Sequence, residues 1–439
     1  MRLVIALAAP APAQDDGAVD RVLSLNRAGE WAQAAAVAQQ LLAGPSAAPR
    51  TRRTCTLRQE LVYAETRLRQ RTAARAALAA FDGECSGVAL DGGYAAELSR
   101  LRQELAGTVV DSPAAESPPA TPSTLELDDD GFWPVGDPVA LGIDVQALEQ
   151  HRVLCAETGA DACLVVFRGQ IVQEWYSPHY QRPIYAMSTT KSITGLLVGM
   201  LVDDGRIRSL EEPVCTYVAQ WCTGRRRRVT LRHLLTMTSG LPRMRDSGVG
   251  FVGDKDAFVE RLSPTVEPGT RWDYSNEGAQ LLSPVLDRAA GEPIQNYART
   301  RLFQPLAMKD TRLHEDERRH AWTYADMETT PRDLARIGLL MLNRGVWRGR
   351  RILSEAWIDA STQPSQRLHP EYGLLWWLHD DPPGFAGHGH LDTDLHVFPA
   401  LDLIVVRMQA RPLAGVAEGT YEVRALPLYK AMVPHATRK

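Results

Sequence analysis

Over the first quarter of the chain, apolar residues recur at helical spacing. "DRVLSLNRAGEWAQAAAVAQQLLAG" reads as two helices broken at Gly29, and "LRQELVYAETRLRQRTAARAALAAF" and "GYAAELSRLRQELAG" continue the pattern, so residues 14–107 are expected to form a small all-α domain. Residues 108–130 change character: Pro, Ser and Thr dominate and an acidic run follows, as in a semi-extended linker. From about 131 the pattern is globular again. A helix is expected around Val145–Ala156, followed by "ACLVVFRGQIVQEWY", two apolar runs either side of Arg168-Gly169 that predict an antiparallel hairpin. A long, mostly helical middle spans 185–362, where "TTPRDLARIGLLMLNRG" opens with Thr330 as N-cap and Pro331 at the first helical position. Near the end, "YGLLWWL", "DLHVFP" and "LDLIVVRMQ" read as strands, before a last helix near 419–432. Strands at both ends with helices between them predict an α+β fold for 131–439. One antiparallel sheet would be closed by the N- and C-terminal pieces, with an inserted helical subdomain and a cleft at the junction.

The chain has 439 residues, enough for two or more domains, and at 44% hydrophobic and 23% charged it has the composition of a globular protein. A net charge of -4 argues against nucleic acid as a partner, and the run Arg225–Arg228 reads as a solvated loop. The N-terminus "MRLVIALAAPAPAQDD" carries Arg2, an apolar Leu3–Ala9 and a small-residue Ala11-Pro12-Ala13, so residues 1–13 are expected to be a secretory signal. No later stretch has the length and apolarity of a membrane span. The six cysteines fall into neighbouring pairs, Cys55 with Cys85, Cys155 with Cys163 and Cys215 with Cys222. Local disulfides and a periplasmic or secreted location are the expectation, and no pair has the C-x-x-C spacing of zinc or redox motifs.

The candidate chemistry begins in "YAMSTTKSITGLLVGML". Ile193, Leu196, Leu197, Met200 and Leu201 form a helical stripe, while Ser188 and Lys191 sit three apart at its start. Ser188 either caps the helix or is a nucleophile whose base is Lys191. Helix-end polarity would favour negative charge on the serine oxygen, and a desolvated lysine would have a lowered pKa. A second feature, "WDYSNEG", sets Tyr274 and Asn276 two apart, a phenol and an amide suited to proton transfer and to holding an acyl substrate.

Taken in order, "STTK", "LLVGMLVDDGRIRSLEEPV", "VTLRHLLTMTSGL" and "YSN" resemble the serine beta-lactamase-related superfamily. Its members include class C beta-lactamases, D-alanyl-D-alanine carboxypeptidases, esterases and 6-aminohexanoate-dimer hydrolases. The resemblance covers roughly 135–435 and implies a beta-lactamase/transpeptidase-like fold. It implies Ser188 as the acylated nucleophile, Lys191 as its activating partner, Tyr274 as a proton shuttle and Asn276 as a substrate-orienting amide. It also implies an oxyanion hole of two backbone N–H groups, one from Ser188 and one from the strand of a third motif. Where relatives have K-T-G, this chain has "FAGHGHLDTDLHVFPALDLIVV". Gly389-His390-Leu391-Asp392 fits a G-H-L-G style of segment, with Gly389 and His390 at the substrate and His390 N–H as the second oxyanion donor. A register on His388-Gly389-His390 stays open. Without the lysine, a substrate carboxylate loses its cation, which favours esters or linear amides over beta-lactams and D-Ala-D-Ala peptides.

The same segment puts His388, His390, Asp392, Asp394 and His396 at alternate positions, on one face if it is a strand. These are competent metal ligands, but their expected role is to line the cleft side of an edge strand, with no metal and no cofactor. Of Trp376 and Trp377, at most one reaches the cleft. Residues 242–256 are a loop that is either a cover for the cleft or an incidental surface feature. The N-terminal helices resemble tetratricopeptide-type repeats, with a plain bundle as the alternative, and are the candidate surface for a protein partner. The expected function is a serine hydrolase acting on a small ester, amide or peptide-like substrate. The alternatives are beta-lactamase or D-Ala-D-Ala carboxypeptidase activity, and a catalytically weak binding or scaffold protein that keeps the fold.

Overall fold

The computed structural model describes residues 131–433 except 179, 243–247, 412 and 414–418. Before them it describes Trp31–Ala43, Arg71–Cys85 and residues 22, 55, 57, 58, 61 and 62. The chain divides into two compact units, Met1–Pro113 and Ala114–Lys439. In the first, helices α1 (Trp31–Ala43) and α2 (Arg71–Cys85) are described, with Val22, Ala34, Ala38 and Leu57 buried together. The expected signal at 1–13, the linker at 108–130 and most of the proposed helical repeat lie outside the described residues.

The second unit is built on a six-stranded antiparallel sheet. Helix α3 (Val145–Glu157) starts at Asp144, whose carboxylate accepts from the Gln146 and Ala147 amides. Strands β1 (Ala162–Phe167) and β2 (Gln170–Tyr176) follow. Arg168 and Gly169 between them both have positive φ, 50° and 72°. That is the backbone of a two-residue hairpin turn, and it is why glycine stands there. Helix α4 (Thr190–Asp203) opens the helical region, which also holds α5 (Asn276–Gln280), α6 (Leu282–Ala290) and α7 (Pro331–Leu342). The chain then returns through β3 (Trp377–Asp380), β4 (Pro383–Gly387), β5 (Asp394–Phe398) and β6 (Leu403–Met408) to helix α8 (Thr420–Met432). The strand order β2-β1-β6-β5-β4-β3 joins the two ends of the unit at the β1–β6 pairing, Ala162 opposite Met408 and Phe167 opposite Leu403.

Both faces of the sheet are covered, so β1 is buried at every residue and reads as a continuous apolar run. Ala162, Leu164 and Val166 join the core shared with α4 and α7, whereas Cys163, Val165 and Phe167 join Tyr421 and Tyr429 of α8 on the other face. Thr330 caps α7 by accepting from the Asp333 amide, with Pro331 at its first turn. All three expected disulfides are present, with Cα–Cα separations of 5.6 Å (Cys55–Cys85), 6.5 Å (Cys155–Cys163) and 4.8 Å (Cys215–Cys222). Among the described residues, no helix is long and apolar enough to cross a membrane.

Two sequence expectations need correction, and one strand was not anticipated. "YGLLWWL" is mostly not a strand: Leu375 has φ 63°, and the amides of Leu374 and Leu375 bond to the Ser361 and Leu235 carbonyls, so only Trp377 and Leu378 enter β3. The strand β4, "PGFAG", lay hidden behind a proline and two glycines, which usually argue against a strand interior. "HGHLDTDLH" is not one strand face. His390–Asp392 form a 3-10 turn with Leu391 and Asp392 at φ 63° and 52°, and β5 starts only at Asp394.

With every cysteine of the described residues paired, titration of the denatured, unreduced protein with a thiol reagent should find no reactive group, and six after reduction.

Candidate active site

Helix α4 does not lie on a surface. Thr190 through Leu201 are all buried, so the stripe seen in the sequence is one side of a helix that is packed all round. It is entered through a 3-10 turn, Met187–Thr189, and Met187 at φ 46° bends the chain sharply just before Ser188. That bend is held from the facing segment. The Ala186 amide donates to Met327 O at 2.7 Å, the Asp326 amide to Met187 O at 3.1 Å, and the Thr190 hydroxyl to Met187 O at 2.6 Å. Neither the turn nor α4 has a side-chain cap, so Ser188 is not serving as the helix cap. Its Oγ instead lies 2.9 Å from Lys191 Nζ.

Lys191 is 1% exposed. Its Nζ also donates to the Tyr324 carbonyl at 2.6 Å, and it lies 4.8 Å from the centre of the Tyr274 ring. Burial lowers the ammonium from its ordinary range to about 7, against the smaller opposing pull of Asp326 and Glu277. An amine uncharged near neutrality, in contact with a hydroxyl, can act as a general base toward it.

Tyr274 reaches Lys191 from the loop before α5. Its ring stacks on Trp377 at 5.8 Å and 25°, and Trp272 lies 4.0 Å from His369 and 6.1 Å from Trp377. Trp377 is thus the tryptophan of its pair at the site, while Trp376 is 0% exposed and packs on Phe385. Ser275 caps α5 by accepting from the Gly278 amide, which fixes Asn276 at the first helical position. Asn276 Oδ1 is buried without a hydrogen-bond partner, an acceptor directed at no group of the protein.

The third side is the turn between β4 and β5. A Cβ on Gly389 would come within 2.9 Å of Ala186 O and 3.0 Å of Met187 Cβ, so only glycine lets this turn approach the residues preceding Ser188. The Gly389 amide donates to Asp394 Oδ1 at 3.2 Å, and the adjoining His390 is exposed. The turn is clamped from behind by Arg407, 0% exposed, which donates to Leu391 O at 2.6 Å and Asp392 O at 2.8 Å. Asp392 accepts from the Gly419 amide at 2.7 Å at the head of α8, and Thr189 Oγ1 lies within reach of Gly387 O (3.1 Å) and Thr393 O (2.7 Å).

Ser188, Lys191, Tyr274, Asn276 and Gly389 therefore converge from three separate segments. Sequence reasoning missed Tyr324, whose carbonyl holds the lysine, and Arg407 and Thr189, which shape the site's walls, and it left open which of Trp376 and Trp377 reaches the cleft. It also missed Asp326 and Glu277, which partly offset the effect of burial on the lysine. The sequence signals only Glu277, the acid directly after Asn276.

A family model described as Beta-lactamase matches residues 148–425. The chain is 25% identical over 309 residues to the 6-aminohexanoate-dimer hydrolase of Paenarthrobacter ureafaciens, covering 62% of this chain and 77% of that relative. It is 31% identical over 239 residues to Esterase EstB of Burkholderia gladioli, covering 44% of this chain and 59% of the esterase. Among solved structures, a penicillin-binding protein homolog from Caulobacter crescentus aligns with a TM-score of 0.55 and 17% identity, over 68% of this chain and 98% of that one. That last likeness is one of fold.

If Lys191 is the base, it acts only when uncharged. Labelling of Ser188 by a fluorophosphonate should therefore accelerate about tenfold per pH unit below 7 and level off above it. Lys191→Met should slow labelling by about 100-fold or more and erase the pH dependence, followed by intact-protein mass spectrometry.

Proposed function

The chain belongs to the beta-lactamase family, and on that premise we propose that it is a serine hydrolase that opens an ester or amide bond through an acyl-enzyme on Ser188. The observation that carries this reading is the contact of the buried Lys191 amine with Ser188 Oγ at 2.9 Å. In the proposed cycle the neutral amine takes the hydroxyl proton as Ser188 Oγ bonds to the carbonyl carbon. The oxyanion is held by the amides of Ser188 and His390. Collapse expels the leaving group, which takes a proton relayed through Tyr274 from the Lys191 ammonium. Water, deprotonated along the same route, then attacks the ester, and Ser188 Oγ leaves with a proton as the acid is released.

Two features support an uncharged acyl substrate. The turn that faces Ser188 offers Gly387, Gly389 and His390 where a lysine would hold a carboxylate, and the Trp272–Tyr274–Trp377 wall is aromatic. The names of the two relatives agree in kind: one is a 6-aminohexanoate-dimer hydrolase, the other an esterase. Asn276 Oδ1, a buried acceptor lacking a donor, fits the N–H of an amide better than an ester oxygen. The three disulfides and the signal-like residues 1–13 support a periplasmic or secreted site of action.

Ser188→Ala should reduce turnover of a chromogenic short-chain ester by about 1000-fold or more, and activity within a few-fold of wild type would refute the assignment. Asn276→Ala should lower kcat/KM for an uncharged linear amide such as an N-alkyl hexanamide by roughly 10- to 100-fold, and for the matching ester by much less. Equal losses on both substrates would remove the amide-binding role. A beta-lactam and a D-Ala-D-Ala peptide complete the panel and are expected to turn over slowest.

A further inference from the structure

The sheet has a second polar cluster, on the face of β5 opposite the core it shares with α4. Leu395 and Val397 of β5 point into that core, while Asp394, His396 and Phe398 point the other way, toward α8. There His396 meets His379 from β3 and His388 from the end of β4. The three rings form a near-equilateral triangle with centroid separations of 5.2, 5.4 and 5.5 Å, and one ligand atom from each lies within 4.8 Å of the other two. The "HGHLDTDLH" pattern thus contributes two of its histidines here by folding back on itself, and the third comes from a strand outside it.

Hydrogen bonding within the cluster leaves one buried nitrogen over. His379 Nε2 and His396 Nδ1 lie 3.3 Å apart, and His396 Nε2, on a side chain that is 0% exposed, has no hydrogen-bond partner. Asp394 Oδ2 lies 3.7 Å from it. A shared metal ion accommodates both contacts. Zinc–nitrogen bonds of about 2.0–2.1 Å in a tetrahedron put neighbouring ligand atoms about 3.3–3.4 Å apart. With Nδ1 of His396 as ligand, its Nε2 carries a hydrogen directed toward Asp394. The other Asp394 oxygen lies 3.1 Å from His388 Nδ1, so one carboxylate orients two of the three imidazoles, as outer carboxylates of metal sites do. His388 Nε2 is then the ligand atom, and Glu422 Oε1 of α8 lies 3.2 Å from it, with that carboxylate 31% exposed on the open side. Phe398 lies parallel to His396 at 6.1 Å and Tyr429 lies 5.3 Å away, giving the cluster an apolar floor.

We propose that His379, His388 and His396 bind one zinc-type divalent transition cation, with Glu422 as the carboxylate beside the open position and Asp394 as the outer carboxylate. Three imidazoles and a carboxylate favour such a cation over calcium or magnesium. The site is separate from Ser188: Trp377 stands between, 6.0 Å from His388 on one side and 5.8 Å from Tyr274 on the other.

The test uses the full chain without a histidine tag, stripped with chelator and dialysed into metal-free buffer. Zinc titration by calorimetry should show one equivalent bound per chain, with Kd of about 1 µM or tighter, well within the range of protein zinc sites. Cobalt should give the visible absorption of a four-coordinate site. His396→Gln and His379→Gln should each weaken zinc at least tenfold, and Asp394→Asn about 10- to 100-fold. His320→Gln, in the separate Asp254–Asp316–His320 group, should leave Kd unchanged. Circular dichroism and Tm of each stripped variant report folding, and the half-exposed His379→Gln carries the test if His396→Gln does not fold. Absence of stoichiometric binding to stripped wild type, or a Kd unmoved by both histidine variants, overturns the proposal. So does loss of binding in His320→Gln alone.

Discussion

The candidate site depends above all on keeping one amine out of water. Lys191 comes from a helix buried on every side, and the shift of its ammonium from 10.5 to about 7 corresponds to a disfavouring of the charged form by about 5 kcal/mol. That cost would ordinarily expel a lysine from a core or recruit a carboxylate to touch it. Here its hydrogen-bond partners are neutral, a peptide carbonyl from Tyr324 and the Ser188 hydroxyl. Asp326 and Glu277 act at longer range, and they keep the pKa near neutrality instead of letting it fall further. A carboxylate in direct contact would have restored the ordinary lysine and removed the base.

The same requirement explains how the walls are held. Ser188 must meet the lysine at one end of α4 and a turn from the sheet at the other side, and neither can drift. The strained Met187 is fixed by three hydrogen bonds from Asp326, Thr190 and the Ala186–Met327 pairing. The turn at 388–393 contains two left-handed residues and would be loose by itself. Arg407 satisfies two of its carbonyls from within the core, Asp392 ties it to the head of α8, and Thr189 ties it to the start of α4. A buried arginine with this many neutral acceptors is worth its desolvation because it fixes a backbone conformation that local preferences would not choose.

What the chain reveals before folding is whatever it encodes locally. The Ser188–Lys191 pair is an i,i+3 spacing on one helix, and the Arg168-Gly169 hairpin and the Thr330-Pro331 helix start are also short-range. All of these were legible as patterns, with "YSN" and the flanking segments giving the family. The rest required contacts between distant residues. Tyr324 matters through its carbonyl, which no side-chain motif advertises, and Arg407 looks like any charged residue until β6 is seen to be covered on both faces. The Pro-Gly strand β4 and the irregular "YGLL" segment reversed expectation because hydrogen bonding to neighbours outweighed local propensity. "HGHLDTDLH" misled because period-two reasoning assumes a continuous strand, and Leu391 and Asp392 break it.

Tyr274 links the two demands on Lys191. A base must be uncharged at rest yet must tolerate a proton for the lifetime of the intermediate. The resting lysine is discouraged from charging by burial. In the proposed cycle Lys191 takes a proton from Ser188, and its ammonium then faces the Tyr274 ring at 4.8 Å and the Tyr324 carbonyl, both of which attract a cation more strongly than a neutral amine. That preference needs the ring held in place, and its stacking on Trp377, itself packed edge-on against Tyr372 at 5.0 Å, resists rotation. The aromatic wall that lines the substrate side therefore also fixes the lysine that receives the charge, and Tyr274 belongs to both, which couples substrate shape to the acid–base chemistry.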